Sequence, residues 1–188
     1  MIDPALARRL KLVGFDVDGV MTDGGLFIGH VGDHAAEFKR FDSQDGVAVW
    51  MLKRAGLRVA LVSGRAAEAT LFRARELRID DVIQDNHKRP AFEALLAGHG
   101  LSLEECAFVG DDLADVPVLR RVALPIAVAN AVPEVKRAAT LVTRAAGGQG
   151  AVREVAELIL RARGVWDDLV TEYLVERGDA ARRPAGSR

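Results

Sequence analysis

The sequence carries a pair of acidic residues directly after its first apolar segment. Asp16-Val17-Asp18-Gly19 follows residues 11–15. If the strand end is extended, both carboxylates point to one side and Val17 points into the core. Neighbouring acids repel each other unless a cation lies between them. One carboxylate could then attack phosphorus while the other exchanges a proton with the leaving oxygen, and Gly19 would let backbone amides approach the phosphate.

Polar residues with related chemistry follow three later apolar segments. Ser63-Gly64-Arg65 comes after the second, Lys88 after the third, and Gly110-Asp111-Asp112-Leu113-Ala114-Asp115 after the fourth. Carboxylate oxygens select a hard cation such as Mg²⁺, and a hydroxyl and an ammonium are natural partners of a phosphate. Each motif alone has an ordinary explanation as a turn, a surface lysine or a helix N-cap. Their recurrence after successive strands favours one shared site.

Short apolar segments alternate with segments of helical period along the chain. The expected strands are 11–15, 57–62, 82–84, 107–109, 125–128 and 141–142. The expected helices are 44–55, 66–77, 89–97, 114–122, 133–138, 151–163 and 166–176. This alternation predicts an α/β fold with a doubly wound parallel sheet, in which ligands bind beyond the carboxyl ends of the strands. All the polar motifs fall at that edge.

One segment interrupts the alternation. Residues 24–41 contain four glycines that flank the apolar stretches 26–28 and 38–41, which predicts a small β-hairpin inserted after the first strand and no large cap domain. We expect a single domain over residues 1–178. Residues 179–188, rich in Ala, Arg, Pro and Gly, are expected to form a mobile tail.

Composition excludes several classes of protein. The chain has 188 residues, 49% of them hydrophobic and 28% charged, which is too apolar for intrinsic disorder. A formal net charge of -1 predicts no general attraction to nucleic acid or to an anionic membrane. The N-terminal segment lacks the features of a leader and no stretch approaches membrane-spanning length, so we expect a cytoplasmic protein. The single cysteine, Cys106, is expected to be buried.

The order and spacing of these motifs resemble the haloacid dehalogenase superfamily of phosphohydrolases. The finer resemblance is to its small, cap-poor members that hydrolyse 3-deoxy-D-manno-octulosonate 8-phosphate, a phosphorylated sugar acid. It rests on Phe41-Asp42-Ser43-Gln44-Asp45-Gly46, on residues 110–119 and on Gly147-Gly148-Gln149-Gly150-Ala151-Val152-Arg153-Glu154. The resemblance implies tetramers in which the hairpin packs against neighbouring subunits and a C-terminal segment closes a neighbouring active site, with 147–150 as a hinge.

The resemblance also implies a role for each acidic residue. Asp16 is the nucleophile and Asp18 the general acid/base. Magnesium is held by the Asp16 carboxylate, the backbone carbonyl of Asp18 and Asp111, and Asp112 or Asp115 supports those ligands.

Further residues are implied in binding the substrate. Ser63 and Lys88 hold the phosphoryl oxygens. Gln44 and Trp50 stand where several members carry a basic residue, which leaves a nonulosonate 9-phosphate as an alternative substrate. The residues of the implied substrate pocket are Asp18, Asp45, Gly46, Gly64, Arg65, Arg73 and Lys88.

Two other classes share parts of this pattern. A phospho-accepting receiver domain also pairs acids after strand one, but it lacks the hairpin and the second acidic motif after strand four. A catalytically silent scaffold subunit would be indicated by loss of Asp18, Lys88 or Asp111, and all three are present. A dinucleotide-binding fold is excluded because acids, not a glycine-rich turn, follow the first strand.

Overall fold

The computed structural model describes residues 2–79 and 81–179, and a parallel β-sheet forms its centre. The strands are β1 (Leu12–Phe15), β2 (Phe27–Val31), β3 (His34–Phe38), β4 (Arg58–Ser63), β5 (Asp81–Gln84), β6 (Cys106–Gly110), β7 (Leu124–Ala127) and β8 (Leu141–Val142). Six of them pair in the order β5-β4-β1-β6-β7-β8, and every pairing in this sheet is parallel. The doubly wound parallel sheet is therefore confirmed.

Helices cover both faces of the sheet. They are α1 (Pro4–Arg9), α2 (Ser43–Arg54), α3 (Glu68–Glu76), α4 (Lys88–Gly98), α5 (Val116–Leu119), α6 (Pro133–Ala138), α7 (Ala151–Arg163) and α8 (Trp166–Val175). The chain runs from β1 to β4 and β5 in one direction, then from β6 to β8 in the other, and right-handed crossovers put the two sets of helices on opposite faces. Within the described residues, no helix is long and apolar enough to cross a membrane.

The core forms where the sequence is most continuously apolar. Every residue of β1 and of β6 is buried, as expected for strands that are covered on both faces. Cys106 lies in this core, as predicted, and burial raises the pKa of its thiol to about 12. Helix α7 buries Val152, Val155 and Ile159 along one stripe and ends at Gly164, whose φ of +76° closes the last turn.

The inserted hairpin is confirmed. Its second strand spans His34–Phe38, so only Phe38 of the apolar stretch 38–41 belongs to it. Gly32, with φ +61°, and Asp33 form a two-residue turn that sets the register, so Val31 pairs with His34 and Phe27 with Phe38. Turn geometry therefore outweighs the low strand propensity of the Ala-rich second strand.

Helix boundaries differ from the expectations in two places. Helix α1 was not expected, although Asp3 caps it and Pro4 stands at its first position. The single helix expected over 114–122 is a 3₁₀ turn, Leu113–Asp115, followed by the short α5. The chain breaks there because the Asp115 side chain folds back onto the preceding backbone. From residue 180 onward, the expected tail lies outside the described residues.

Candidate active site

The polar motifs meet at the carboxyl ends of three adjacent strands. β1 lies between β4 and β6, where the chain direction across the sheet reverses, and such a reversal opens a crevice. Asp16 follows β1, Ser63 ends β4, and Asp111 follows β6. The Asp16 amide donates to the carbonyl oxygen of Val109 at 2.9 Å, which fixes the nucleophile candidate to the sheet.

The segment after β1, residues 16–22, turns sharply and is called the Asp16 loop below. The strand stops at Phe15, so the extended strand end expected through Asp18 was wrong, although Val17 is buried as expected. Gly19 has φ +96°, and a Cβ there would lie 2.1 Å from Asp111 Oδ2. Only glycine therefore lets Asp111 approach the loop this closely.

Lys88 is the central cation of the crevice. It begins α4, and only 4% of its side chain is exposed. Its Nζ donates to Asp16 Oδ1 and to Asp115 Oδ1, both at 2.7 Å. Burial opposes the charge on Lys88, but the ion pairs with Asp16 and Asp115 prevail and raise its pKa above the ordinary value. The ammonium therefore stays charged beside the nucleophile candidate.

Three carboxylates at the crevice have the arrangement of a divalent cation site. One oxygen each from Asp16, Asp111 and Asp115 lies within 4.8 Å of the other two. Burial is the largest cause that raises the pKa of Asp16 well above its ordinary value and that of Asp111 to about 6. The buried Asp111 Oδ1 has no hydrogen-bond partner among the described residues. These acids fit a hard cation, because it would offset the repulsion among the buried carboxylates and satisfy that oxygen.

Asp112 and Asp115 differ sharply although they are close in sequence. Asp115 is fully buried, and its Oδ2 accepts hydrogen bonds from the amides of Asp111 and Asp112 at 2.9 and 3.2 Å. Asp112 is exposed, and its carboxylate accepts from the Leu113 amide at 2.7 Å. The structure thus brings Asp115 into the acidic cluster, whereas the Asp112 side chain caps the following turn.

The Asp18 side chain lies outside this cluster and has two polar neighbours. Its Oδ2 lies 3.4 Å from Ser63 Oγ. Its Oδ1 accepts a 2.6 Å hydrogen bond from Lys39 Nζ, and the Lys39 side chain is fully buried. The sequence analysis missed Lys39, which lies in the expected hairpin and outside every motif quoted above.

Two arginines expected to bind substrate have protein partners in the structure. Arg65 Nη2 donates to Glu37 Oε2 at 2.7 Å, from the sheet to the hairpin. Arg73 donates to Glu76 at 2.8 Å and to the carbonyl oxygen of Asp42 at 3.0 Å. Arg73, with Lys39, lines a cavity of about 870 Å³ between the hairpin and α3.

The remaining expected pocket residues are Asp45, Gly46 and Gly64. Asp45 is fully buried in α2 and accepts a 2.9 Å hydrogen bond from the Arg153 amide in the first turn of α7. Burial, opposed by that hydrogen bond, raises the pKa of Asp45 to about 7. Gly46 lies against the Arg73 guanidinium, and Gly64 lies against Lys88. Asp45 is therefore placed to hold α7, whereas the two glycines adjoin expected binding residues.

A second group missed by the sequence analysis holds the backbone of the Asp16 loop. Asn130 Nδ2 donates to the carbonyl oxygen of Gly19 at 3.1 Å, and its Oδ1 accepts from the Gly147 amide at 2.7 Å. A Cβ on Gly147 would lie 1.8 Å from that same carbonyl oxygen. The Gly148 amide donates to the carbonyl of Val20 at 3.1 Å. The glycine-rich segment 147–150 thus packs directly on the loop.

Comparison with known proteins agrees with this geometry. The 3-deoxy-D-manno-octulosonate 8-phosphate phosphatase of Escherichia coli K12 is 40% identical over 165 residues, covering 87% of this chain and 86% of the relative. The profile of haloacid dehalogenase-like hydrolases matches residues 65–155. The chain belongs to the haloacid dehalogenase-like hydrolases. As its relatives are phosphatases, this haloacid dehalogenase-like chain is an enzyme of the same class, a phosphatase.

Solved structures of related phosphatases superpose closely on this haloacid dehalogenase-like fold. The Moraxella catarrhalis octulosonate 8-phosphate phosphatase, in complex with a magnesium ion, a phosphate ion and the sugar acid, has a TM-score of 0.85 at 34% identity, covering 90% of this chain and 97% of that one. The cobalt-bound Haemophilus influenzae enzyme has a TM-score of 0.81 at 34% identity, covering 90% and 99%. Divalent metal in these relatives agrees with the acidic cluster described here.

Proposed function

We propose that this chain is a magnesium-dependent phosphomonoesterase that hydrolyses 3-deoxy-D-manno-octulosonate 8-phosphate through an aspartyl-phosphate on Asp16, in the synthesis of the lipopolysaccharide core. The observation that carries the proposal is the environment of Asp16. This carboxylate directly follows the central strand, contacts the buried Lys88 at 2.7 Å and adjoins Asp111 and Asp115. The substrate assignment is supported by the names of the related phosphatases.

In the first step a carboxylate oxygen of Asp16 attacks phosphorus as the bond to the sugar oxygen breaks. Lys88 holds Asp16 in place and offsets the negative charge of the phosphoryl oxygens, and Ser63 adds a hydroxyl at the same strand edge. The bound cation supplies further neutralisation of that charge, and Asp16, Asp111 and the backbone carbonyl of Asp18 would hold it. Asp115 and Asp112 keep the loop that carries Asp111 in shape.

Asp18 moves the protons in both steps. In the first, its carboxyl group gives a proton to the departing sugar oxygen, and in the second its carboxylate takes a proton from the attacking water. Water then forms the new bond to phosphorus, the bond to Asp16 breaks, and the free carboxylate returns. The products are the sugar acid and inorganic phosphate.

The substrate end of the site is assigned to cationic and small residues. Arg65 and Arg73 would bind the sugar-acid carboxylate, and Gly64, Gly46 and Asp45 would shape the pocket around them. A nonulosonate 9-phosphate has the same carboxylate and remains the alternative substrate.

Trp50 occupies a position at which several family members carry a basic residue, so its contacts bear on which substrate binds. Its ring packs edge-to-face on Tyr173 with centroids 5.1 Å apart, so α2 and α8 hold it in place. A packing role of this kind is compatible with either sugar acid.

We further propose a cytoplasmic homotetramer of single domains, each spanning residues 1–178. The hairpin exposes several large apolar side chains, as does α3 nearby, and apolar surface of this kind typically marks an interface. These side chains are Phe27, Ile28, Val31, Phe38 and Phe72. Sedimentation equilibrium tests the tetramer, and a monomer at micromolar concentration would refute it.

The decisive experiment is phosphate release from a panel of sugar and sugar-acid phosphates, with Mg²⁺ and with EDTA. We expect release that requires the metal and is concentrated on the octulosonate 8-phosphate, and no turnover by Asp16→Asn. Metal-dependent release spread over other esters would reassign the substrate. Turnover by Asp16→Asn at the parent rate would remove Asp16 as the nucleophile, and no release at all would favour a silent scaffold.

A further inference from the structure

The hairpin delivers a buried ammonium group to the active site of its own subunit. We propose that Lys39 is a positioning residue that holds the Asp18 carboxyl group in the orientation it needs for proton transfer. The inference rests on the proposed role of Asp18 as general acid/base. It assigns a catalytic purpose to the inserted hairpin that is separate from subunit contacts.

The backbone brings Lys39 to the crevice by a short return path. Strand β3 ends at Phe38, and Phe41 forms an antiparallel bridge with Thr22 at the end of the Asp16 loop. Thr22 is itself fixed, because its hydroxyl accepts from the Gly19 amide at 3.3 Å and from the Gly24 amide at 3.2 Å. Lys39 is therefore held between β3 and the loop that carries Asp18.

The charges around Lys39 explain why a lysine can be buried here. Its side chain is 0% exposed, and its Nζ lies 2.6 Å from Asp18 Oδ1 and 3.5 Å from Glu37 Oε1. Glu37 also accepts from Arg65 at 2.7 Å, so it links two cations above the crevice. A buried ammonium is costly unless it is paired, and these carboxylates supply the pairing. Lys39 thus has little freedom to leave Asp18.

The contact with Lys39 gives the two carboxylate oxygens of Asp18 different partners. Oδ1 is taken by Lys39, whereas Oδ2 faces Ser63 Oγ at 3.4 Å, on the side of the strand ends. Asp18 is 22% exposed, so without Lys39 its side chain could turn toward solvent. Lys39 therefore leaves Oδ2 as the oxygen that exchanges the proton. A small rotation away from that orientation is enough to slow proton transfer strongly.

The test compares two leaving groups. The sugar alkoxide of the octulosonate ester needs a proton from Asp18, whereas nitrophenolate from p-nitrophenyl phosphate leaves without one. We expect Lys39→Met to lower kcat/KM for the sugar ester roughly a hundredfold and for p-nitrophenyl phosphate less than about fivefold. Lys39→Arg, which keeps a donor, restores most of the loss on the sugar ester. An equal loss on both esters would overturn the proposal.

A double-mutant cycle on p-nitrophenyl phosphate separates this inference from the substrate assignment. Hydrolysis of the aspartyl-phosphate needs Asp18 as a base whichever ester formed it. Lys39→Met should therefore lower kcat for p-nitrophenyl phosphate at least about tenfold in the parent but by less than about twofold in an Asp18→Asn background. The same factor in both backgrounds would refute the positioning role. Failure of the parent on the sugar ester alone would refute only the proposed substrate, since the cycle uses the aryl ester.

Matched variants control for damage to the hairpin. Arg40 is the next residue, is 56% exposed and pairs with Asp23 at 3.3 Å. Arg40→Met should leave the ratio of the two kcat/KM values at the parent value. If circular dichroism shows that Lys39→Met is unfolded, Lys39→Ala, which also has no donor, is expected to change the ratio in the same way. A ratio unchanged in Lys39→Ala would also overturn the proposal.

Discussion

Asp115 accepts three hydrogen bonds with its two carboxylate oxygens, so its replacement by asparagine makes a sharp test of the site geometry. Its Oδ1 accepts from Lys88 Nζ at 2.7 Å, and its Oδ2 accepts from the Asp111 and Asp112 amides at 2.9 and 3.2 Å. All three partners are donors. Asp115→Asn keeps the shape of the side chain but turns one acceptor into a donor.

The loss of folding stability depends on which end of the new amide group points at Lys88. If the NH₂ group faces Lys88, a charge-assisted hydrogen bond worth about 1.5–3 kcal/mol is lost and two donors oppose each other. If it faces the two backbone amides, at least one buried donor is left unsatisfied at about 1–3 kcal/mol, and the charge pairing with Lys88 is lost as well. Relief of repulsion with Asp16 offsets part of this. We expect a net destabilisation of about 3 kcal/mol.

The assay is urea unfolding at pH 7 in EDTA, followed by circular dichroism at one protein concentration. EDTA removes stabilisation by bound metal, and a fixed concentration removes any effect of association. Asp112→Asn is the matched control, because Asp112 is exposed and asparagine caps a turn as well as aspartate; its change should stay below about 0.5 kcal/mol. An Asp115→Asn loss no larger than that of Asp112→Asn would refute the reasoning.

Three further changes give distinct outcomes. Burial holds the pKa of Asp45 at about 7, above its ordinary 3.8, so the folded state loses stability as pH rises between those values. We therefore expect the free energy of unfolding of the parent to fall by about 2 kcal/mol more than that of Asp45→Asn between pH 5 and pH 8. Urea unfolding in EDTA measures this difference. Equal slopes would contradict this. Gly147→Ala puts a Cβ 1.8 Å from the Gly19 carbonyl oxygen, so it should lower the free energy of unfolding by about 3 kcal/mol or more and also lower kcat. The control is Gly98→Ala, whose Cβ meets nothing within 4 Å and which should be neutral or stabilising in thermal unfolding. Asp111→Ala should raise the Mg²⁺ concentration for half-maximal activity at least about tenfold, and an unchanged metal titration would remove Asp111 as a ligand.

The central residues of the site could be predicted because they depend on strand ends. Asp16, Ser63 and Asp111 each follow or end a strongly apolar strand, and parallel strands necessarily bring their carboxyl ends to one edge. Lys88 was found in the same way, since it opens the helix after the third strand of the sheet. Their approach to one another follows from the alternation of strands and helices alone.

Lys39 and Asn130 could not be predicted, because their roles arise from how distant segments meet. Lys39 and Arg40 are adjacent and similar in sequence, yet one is buried against Asp18 and the other is largely exposed. The hairpin turn at Gly32 and the bridge to Thr22 decide which of them faces the crevice.

The acids of the fourth motif show the same limit. Both acids belong to the capping box of the short 3₁₀ turn, Asp112 as its N-cap and Asp115 as its third residue. Only the position of Lys88, supplied by another element, selects Asp115 as the buried partner.

Asn130 and Gly147 support the Asp16 loop but follow it far along the chain, so the loop is synthesised before its support. Asn130 lies 111 residues after Gly19, which it holds. During synthesis the loop leaves the ribosome well before Asn130 and Gly147, so a nascent chain carries Asp16 and Lys88 while the loop still lacks its support. We therefore expect catalysis to begin only once the last third of the chain has folded onto the first strand. A chain terminated before residue 147 is expected to be inactive.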